Sequence, residues 1–140
     1  IPWGPPLGTT PVDYLTDLIY TRDTWMHRAD ICRAAGRPFI QTAEHDGRVV
    51  ALVVRDLARK LADRLRGRTV VFDLTGAAGG RYRIGQMAEP TAILRMDVVE
   101  FNRLASGRIA AEAARAQGLV TVSGDRTFAD QVLATTSVPY

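Results

Sequence analysis

Apolar residues recur every three or four positions in the first third of the chain, which is the spacing of one helix face. Gly36 and then Pro38 follow the last of them, and both residue types end helices. The pattern predicts a helix over residues 11–35, long enough to require other helices to pack against. Its predicted buried positions are Val12, Leu15, Leu18, Ile19, Trp25, Met26, Ala29 and Cys32.

A second helical pattern covers residues 46–66, with Asp46 as its expected N-cap and Gly67 as its C-terminal stop. Two long helices joined by about ten residues predict an antiparallel helical hairpin. The second helix carries apolar residues over more than half of its circumference at positions 49–54. We therefore expect a homodimer, or association with an N-terminal segment that the sequence lacks.

After residue 67 the period changes to that of strands. Strands are predicted at residues 69–74, 81–85, 91–96 and 119–122, and helices at 97–105, 109–117 and 126–135. The fold class is therefore α+β, with a helical region at 1–66 and an α+β domain at 67–140. Ten apolar residues are expected to form the core of this domain, which leaves few to line a cavity. They are Val70, Phe72, Ile84, Leu94, Phe101, Leu104, Val120, Val122, Phe128 and Leu133.

Composition narrows the classes of function. The net charge of +3 on 140 residues is too small and too scattered for a nucleic-acid-binding surface. The longest apolar run has six residues, at positions 49–54, so no membrane span is expected. A single cysteine, Cys32, excludes an intramolecular disulfide and is compatible with the cytoplasm, the location we expect.

One polar cluster in the first helix can carry chemistry. Asp23, His27 and Asp30 stand at i, i+4 and i+7, so their side chains project from one stripe. Asp23 and His27 can ligate one divalent ion, with Asp30 orienting the imidazole as an outer partner or acting as a further ligand. The alternative is a solvated Asp–His pair with an arginine fringe at Arg22, Arg28 and Arg33. His45 is expected to be exposed in a loop, and Cys32 to be buried in the core.

Several tracts resemble the mycothiol-dependent maleylpyruvate isomerase family, of the DinB-like metal-binding superfamily. They are Trp3-Gly4-Pro5, residues 22–31 (Arg-Asp-Thr-Trp-Met-His-Arg-Ala-Asp-Ile) and residues 34–38 (Ala-Ala-Gly-Arg-Pro). Residues 104–108 and 118–125 look like the C-terminal domain of that family, which is similar to sterol carrier proteins. The resemblance implies half of a DinB-like four-helix bundle at 1–66, followed by a sterol-carrier-like unit at 67–140.

The same resemblance implies a divalent metal, zinc above all, and mycothiol as the thiol cosubstrate whose thiolate the metal favours. Asp23 and His27 fall on two of the ligand positions; Asp23 stands where the family has Glu, and the first bundle helices with their histidine have no counterpart. We expect a truncated metal- and mycothiol-dependent isomerase or thiol transferase acting on a small molecule. The alternative is a small-molecule or lipid carrier without catalysis.

Overall fold

The computed structural model describes residues 11–140, so the Trp3-Gly4-Pro5 tract lies outside the described residues. Two compact units divide the chain: one comprises Ile1–Phe39 with Pro139–Tyr140, the other Ile40–Val138. This division falls at Phe39, whereas the sequence suggested 1–66 and 67–140. That residues 1–66 and 67–140 fold as separate domains stays a prediction.

The described part of the first unit is a continuous helical run, as the periodicity predicted. It consists of α1 (Val12–Asp17), a π-helical segment (Leu18–Asp23) and α2 (Thr24–Ala34). The Thr24 hydroxyl donates to the carbonyl of Ile19 at 3.2 Å, inside this widened stretch. Gly36 adopts φ of 61°, and Arg37 N–H donates to the Cys32 carbonyl at 2.8 Å, so the predicted glycine stop is confirmed.

Burial in the first unit follows the predicted pattern only in part. Five of the eight expected positions are buried, namely Leu15, Leu18, Trp25, Met26 and Ala29. Val12 and Ile19 are exposed and Cys32 is half-buried. The π-helical segment contains Ile19 and precedes Cys32, so at these two positions it changes the angular spacing on which the prediction relied. Within this unit the Trp25 and Phe39 rings meet edge to face at 5.0 Å.

The second unit begins with α3 (Asp46–Leu61), which ends five residues before residue 66, the predicted end of the helix. His45 is the N-cap residue, and the Asp46 carboxylate instead accepts from the Thr42 N–H at 2.6 Å. After Leu61 the chain continues in turns, with Arg66 and Gly67 both in the left-handed region. These turns form a short loop, residues 62–68, that borders the concave surfaces described below.

A four-stranded mixed sheet forms the centre of this unit. Its strands are β1 (Val70–Thr75), β2 (Gly80–Ile84), β3 (Ala92–Asp97) and β4 (Val120–Gly124), in the order β2-β1-β3-β4. β1 runs parallel to β3, and the two outer pairings are antiparallel. The predicted α+β class is thus confirmed for this unit.

Three helices follow the strands: α4 (Val98–Ala105), α5 (Ala111–Ala116) and α6 (Arg126–Thr135). Asp97 and Asp125 cap α4 and α6, accepting from Val99 N–H at 2.8 Å and Phe128 N–H at 3.0 Å. Nine of the ten predicted core residues are buried, and Val122 is half-buried. Phe72 and Phe101 meet edge to face at 5.4 Å in this core.

α3 contacts α4 and β2, so it completes the sheet-containing unit. The sequence assigned it to a helical hairpin with the first helix, as half of a DinB-like bundle. That assignment is not confirmed, because α2 and α3 belong to different units.

Candidate functional site

A groove of about 690 Å³ lies in the second unit between the C-terminal half of α3 and the end of β2. We call it the apolar groove. Its apolar lining comes from α3 and the following loop on one side, and from β2 and the β2–β3 loop on the other. The lining residues are Ala58, Ala62, Leu65, Gly67, Arg68, Arg83, Ile84, Gly85, Gln86 and Met87.

Tight backbone packing fixes the β2 side of the groove. Gly85 has φ of 119°, and a Cβ there would lie 2.5 Å from the Arg68 carbonyl oxygen, so only glycine fits. The Met87 N–H donates to the hydroxyl of buried Thr69 at 2.9 Å. The loop that carries Met87 is therefore tied to the start of β1.

Arg83 shapes the same loop. One of its guanidinium nitrogens donates to the carbonyls of Met87 and Ala88, both at 2.7 Å. These bonds leave the Met87 side chain 52% exposed at the groove. Methionine is flexible and polarizable, so it adapts to ligands of irregular shape.

Arg68 forms part of the opposite wall. Its Nε donates to the Leu65 carbonyl at 3.2 Å, and its guanidinium lies 4.2 Å from the centre of the Phe128 ring. Both contacts hold the cation at the border of the groove. An apolar cleft with two arginines at its edge suits a molecule with an apolar body.

The groove offers no group for acid–base or nucleophilic catalysis. Among its lining residues there is no carboxylate, histidine, cysteine, serine or tyrosine. The side chains present can contact a ligand through apolar, guanidinium and amide groups. Sequence reasoning missed this site because six lining residues lie in the loops at 65–68 and 85–87, which periodicity does not place.

The residues singled out from the sequence lie in the first unit. His27 Nε2 and Asp23 Oδ1 are 3.3 Å apart, and their side chains are 63% and 45% exposed. Asp30 is half-buried on α2. Among residues 11–140, no group of three or more His, Cys, Asp or Glu side chains is arranged to hold a metal ion.

One of the three arginines expected to be solvated around the Asp–His pair is buried instead. Arg22 is fully buried, pairs with Asp17 at 3.0 Å and donates to the Pro139 carbonyl at 3.3 Å. It is a structural element of the first unit, whereas a solvated side chain was expected. His45 is exposed, as predicted.

The second unit thus defines a class of protein: an α+β domain with a mixed sheet and a concave apolar surface. The family comparison makes this specific, since residues 41–136 match the model of the SCP-2 sterol transfer family. That match covers more than half of the chain, so the chain belongs to this family. It includes α3, whereas α1, the π-helical segment and α2 lie outside it.

Among solved structures, the chain is similar to "Sterol Carrier Protein 2 from Yarrowia lipolytica (apo form)". The identity is 18% and the TM-score 0.45, over 63% of this chain and 89% of that chain. No curated protein matches the chain in sequence. The sterol-carrier-like part of the sequence resemblance is confirmed, and nothing in the comparisons supports the mycothiol isomerase or DinB-like part.

Proposed function

We propose that the second unit is a carrier that binds a small apolar or lipid molecule in the apolar groove. The observation that supports this most directly is the groove itself, with apolar walls and no catalytic side chain, inside the segment that matches the family. Membership of the SCP-2 sterol transfer family agrees with it. None of the helices in residues 11–140 is long and apolar enough to span a bilayer.

A single substitution tests the proposal. Ala58 lines the groove from α3, so Ala58→Trp fills it with an indole, whereas Ala51→Trp adds the same group at an exposed position of the same helix. We expect saturable binding of a fluorescent fatty acid to be lost in the first variant and kept in the second. Equal binding by both variants, with circular dichroism spectra like that of the parent protein, would rule out the groove as the binding site.

A metal- and mycothiol-dependent isomerase or thiol transferase is the second candidate, and it stays a proposal. What favours it is the proximity of Asp23 and His27, one turn apart at the junction of the π-helical segment and α2. π-Helical turns are frequent at functional sites. Asp23 and His27 would be the zinc ligands, with Asp30 as the outer partner and mycothiol supplying the thiol.

Zinc binding tests this candidate directly. Equilibrium dialysis of the full chain should show that His27→Ala releases zinc and that His45→Ala, at the other histidine, does not. Zinc retention by His27→Ala equal to that of the parent protein would eliminate these ligands. Because two protein ligands leave most positions to water, we expect weak binding in this chain.

A further inference from the structure

A second concave surface lies on the other side of the loop at residues 62–68. This pocket of about 320 Å³ is formed by that loop, the end of α3 and the outer part of α6. We call it the arginine pocket. Its lining residues are Leu61, Asp63, Arg64, Leu65, Arg66, Arg68, Phe128, Gln131, Val132 and Thr135.

The arginine pocket has a more polar lining than the apolar groove: six of its ten lining residues are polar or charged, against three of ten in the groove, although both linings carry a net charge of +2. Three guanidinium groups and one carboxylate line the pocket, which gives a net charge of +2. Gln131 adds an amide that can donate further hydrogen bonds, whereas the Thr135 hydroxyl already donates to the carbonyls of Gln131 and Val132. Planar guanidinium groups bind phosphate oxygens in bidentate fashion, so the donor set suits an oxyanion.

Arg68 and Arg66 occupy defined positions in this wall. The ring of Phe128 and the Leu65 carbonyl hold Arg68, as described above. Arg66 has φ of 49°, the one positive φ among the described non-glycine residues. A large side chain in this conformation is strained, and such strain is concentrated at functional sites.

The end of α3 carries two neighbouring cations. Lys60 lies one turn before Arg64, and its Nζ donates to the carbonyl and hydroxyl of Ser137 at 2.6 and 2.8 Å. Burial, and secondarily the charge of Arg64, lower the pKa of Lys60. The positive charge of Arg64 therefore acts on a neighbouring side chain at the end of α3 that borders the arginine pocket.

We propose that the arginine pocket is a binding site for a phosphate group, held by Arg64, Arg66 and Arg68 with help from the Gln131 amide. The phosphate can belong to a free phosphorylated metabolite or to the headgroup of a molecule whose apolar part lies in the groove. Leu65 and Arg68 line both surfaces, so the pocket and the groove are neighbours. Phosphate binding in the arginine pocket does not require a lipid in the apolar groove, so the two proposals are tested separately.

Calorimetric titration of the full chain with inorganic phosphate, at constant ionic strength, tests the site. We expect saturable 1:1 binding, weakened about tenfold by Arg66→Asn and further by Arg64→Gln/Arg66→Asn. Asparagine tolerates positive φ, so Arg66→Asn removes the charge without adding backbone strain. The control Arg48→Gln/Arg81→Gln removes two exposed arginines outside the pocket and should change the affinity less than twofold.

The outcomes separate ligand binding from a stabilising role at the end of α3. Reduced phosphate binding with an unchanged melting temperature supports the site. Equal weakening of phosphate binding in the control variant overturns it, and linear, non-saturable heats in the parent protein exclude a site for free phosphate.

A second comparison distinguishes the two sources of phosphate. A single-chain lysophosphatidic acid is compared with the monoacylglycerol of the same chain length. Tighter binding of the former, lost in Arg64→Gln/Arg66→Asn, assigns the headgroup to the pocket. Saturable inorganic phosphate binding without that preference assigns a free phosphorylated metabolite, and the absence of both overturns the proposal.

Discussion

The two units differ in how completely they bury their apolar residues. In the described part of the first unit, Val12, Ile19, Tyr20 and Ile31 are each more than half exposed on the helical run. In the second unit, the exposed large apolar residues are Ile40 at its start and Met87 at the groove. The second unit therefore has a closed core of its own, and one of its two exposed large apolar residues, Met87, lines the apolar groove. The self-association expected from the sequence stays a prediction.

Helix caps differ in part between the units. In the second unit, aspartate side chains cap α4 and α6, while α3 and α5 begin without a side-chain capping bond, as do the helical segments in residues 11–39. At α4 and α6, local signals and core packing agree, as expected of a cooperative domain. The family match at 41–136 coincides closely with that unit.

The largest expected effect on stability comes from removing α3, which tests where the folding domain begins. A fragment of residues 40–138 should fold cooperatively, whereas residues 67–140, the domain expected from the sequence, should not. The shorter fragment lacks α3, which contributes Val49, Val50, Val53, Val54, Leu57 and Leu61 as buried side chains. At roughly 1.5–3 kcal/mol per buried side chain, their loss approaches or exceeds the ~5–15 kcal/mol stability of a domain.

Urea denaturation followed by circular dichroism decides between the two boundaries. A sigmoidal transition in the fragment 67–140 would restore the boundary predicted from the sequence. A fragment 40–138 without cooperative unfolding would contradict the independence of the second unit.

A smaller effect is expected at the centre of the core. Phe72 is fully buried on β1 and contacts the Phe101 ring, so Phe72→Ala should lower the free energy of unfolding by about 3–5 kcal/mol. Thr121→Ala, at an exposed position of β4, should cost under about 1 kcal/mol. Chemical denaturation measures both; similar losses would mean that the sheet is not packed as described.

The cap of α6 gives a third, still smaller effect. Asp125→Ala removes the acceptor for the Phe128 N–H and should cost about 1 kcal/mol. His45→Ala serves as the control, because His45 precedes α3 without a side-chain capping bond. Equal losses of unfolding free energy in the two variants would mean that the Asp125 hydrogen bond contributes nothing to stability.

Much of the second unit could be predicted from its sequence because local signals there are explicit. The turn predicted at Ser123-Gly124-Asp125 placed the start of α6, which was predicted at 126–135 and is observed there, and the four strands were predicted to within two residues. The sheet order and the groove could not be predicted, since both depend on contacts between distant segments. Gly85 against Arg68 is one such contact. The burial of Arg22 was not predicted for the same reason, because its partner Pro139 lies at the other end of the sequence.

The smallest expected effect is a pH dependence at Tyr82, on the β2 edge of the sheet. Burial raises the pKa of the Tyr82 phenol above its ordinary value of 10.0. The folded protein then holds this proton more tightly than the unfolded chain, so the contribution to stability is complete below pH 10.0 and is lost as pH rises through the folded-state pKa. In Tyr82→Phe this dependence should be absent, whereas Tyr20→Phe, at an exposed tyrosine, should keep it. Parallel denaturation curves for the parent protein and Tyr82→Phe across this alkaline range would show that the phenol is as well solvated in the folded state as in the unfolded one.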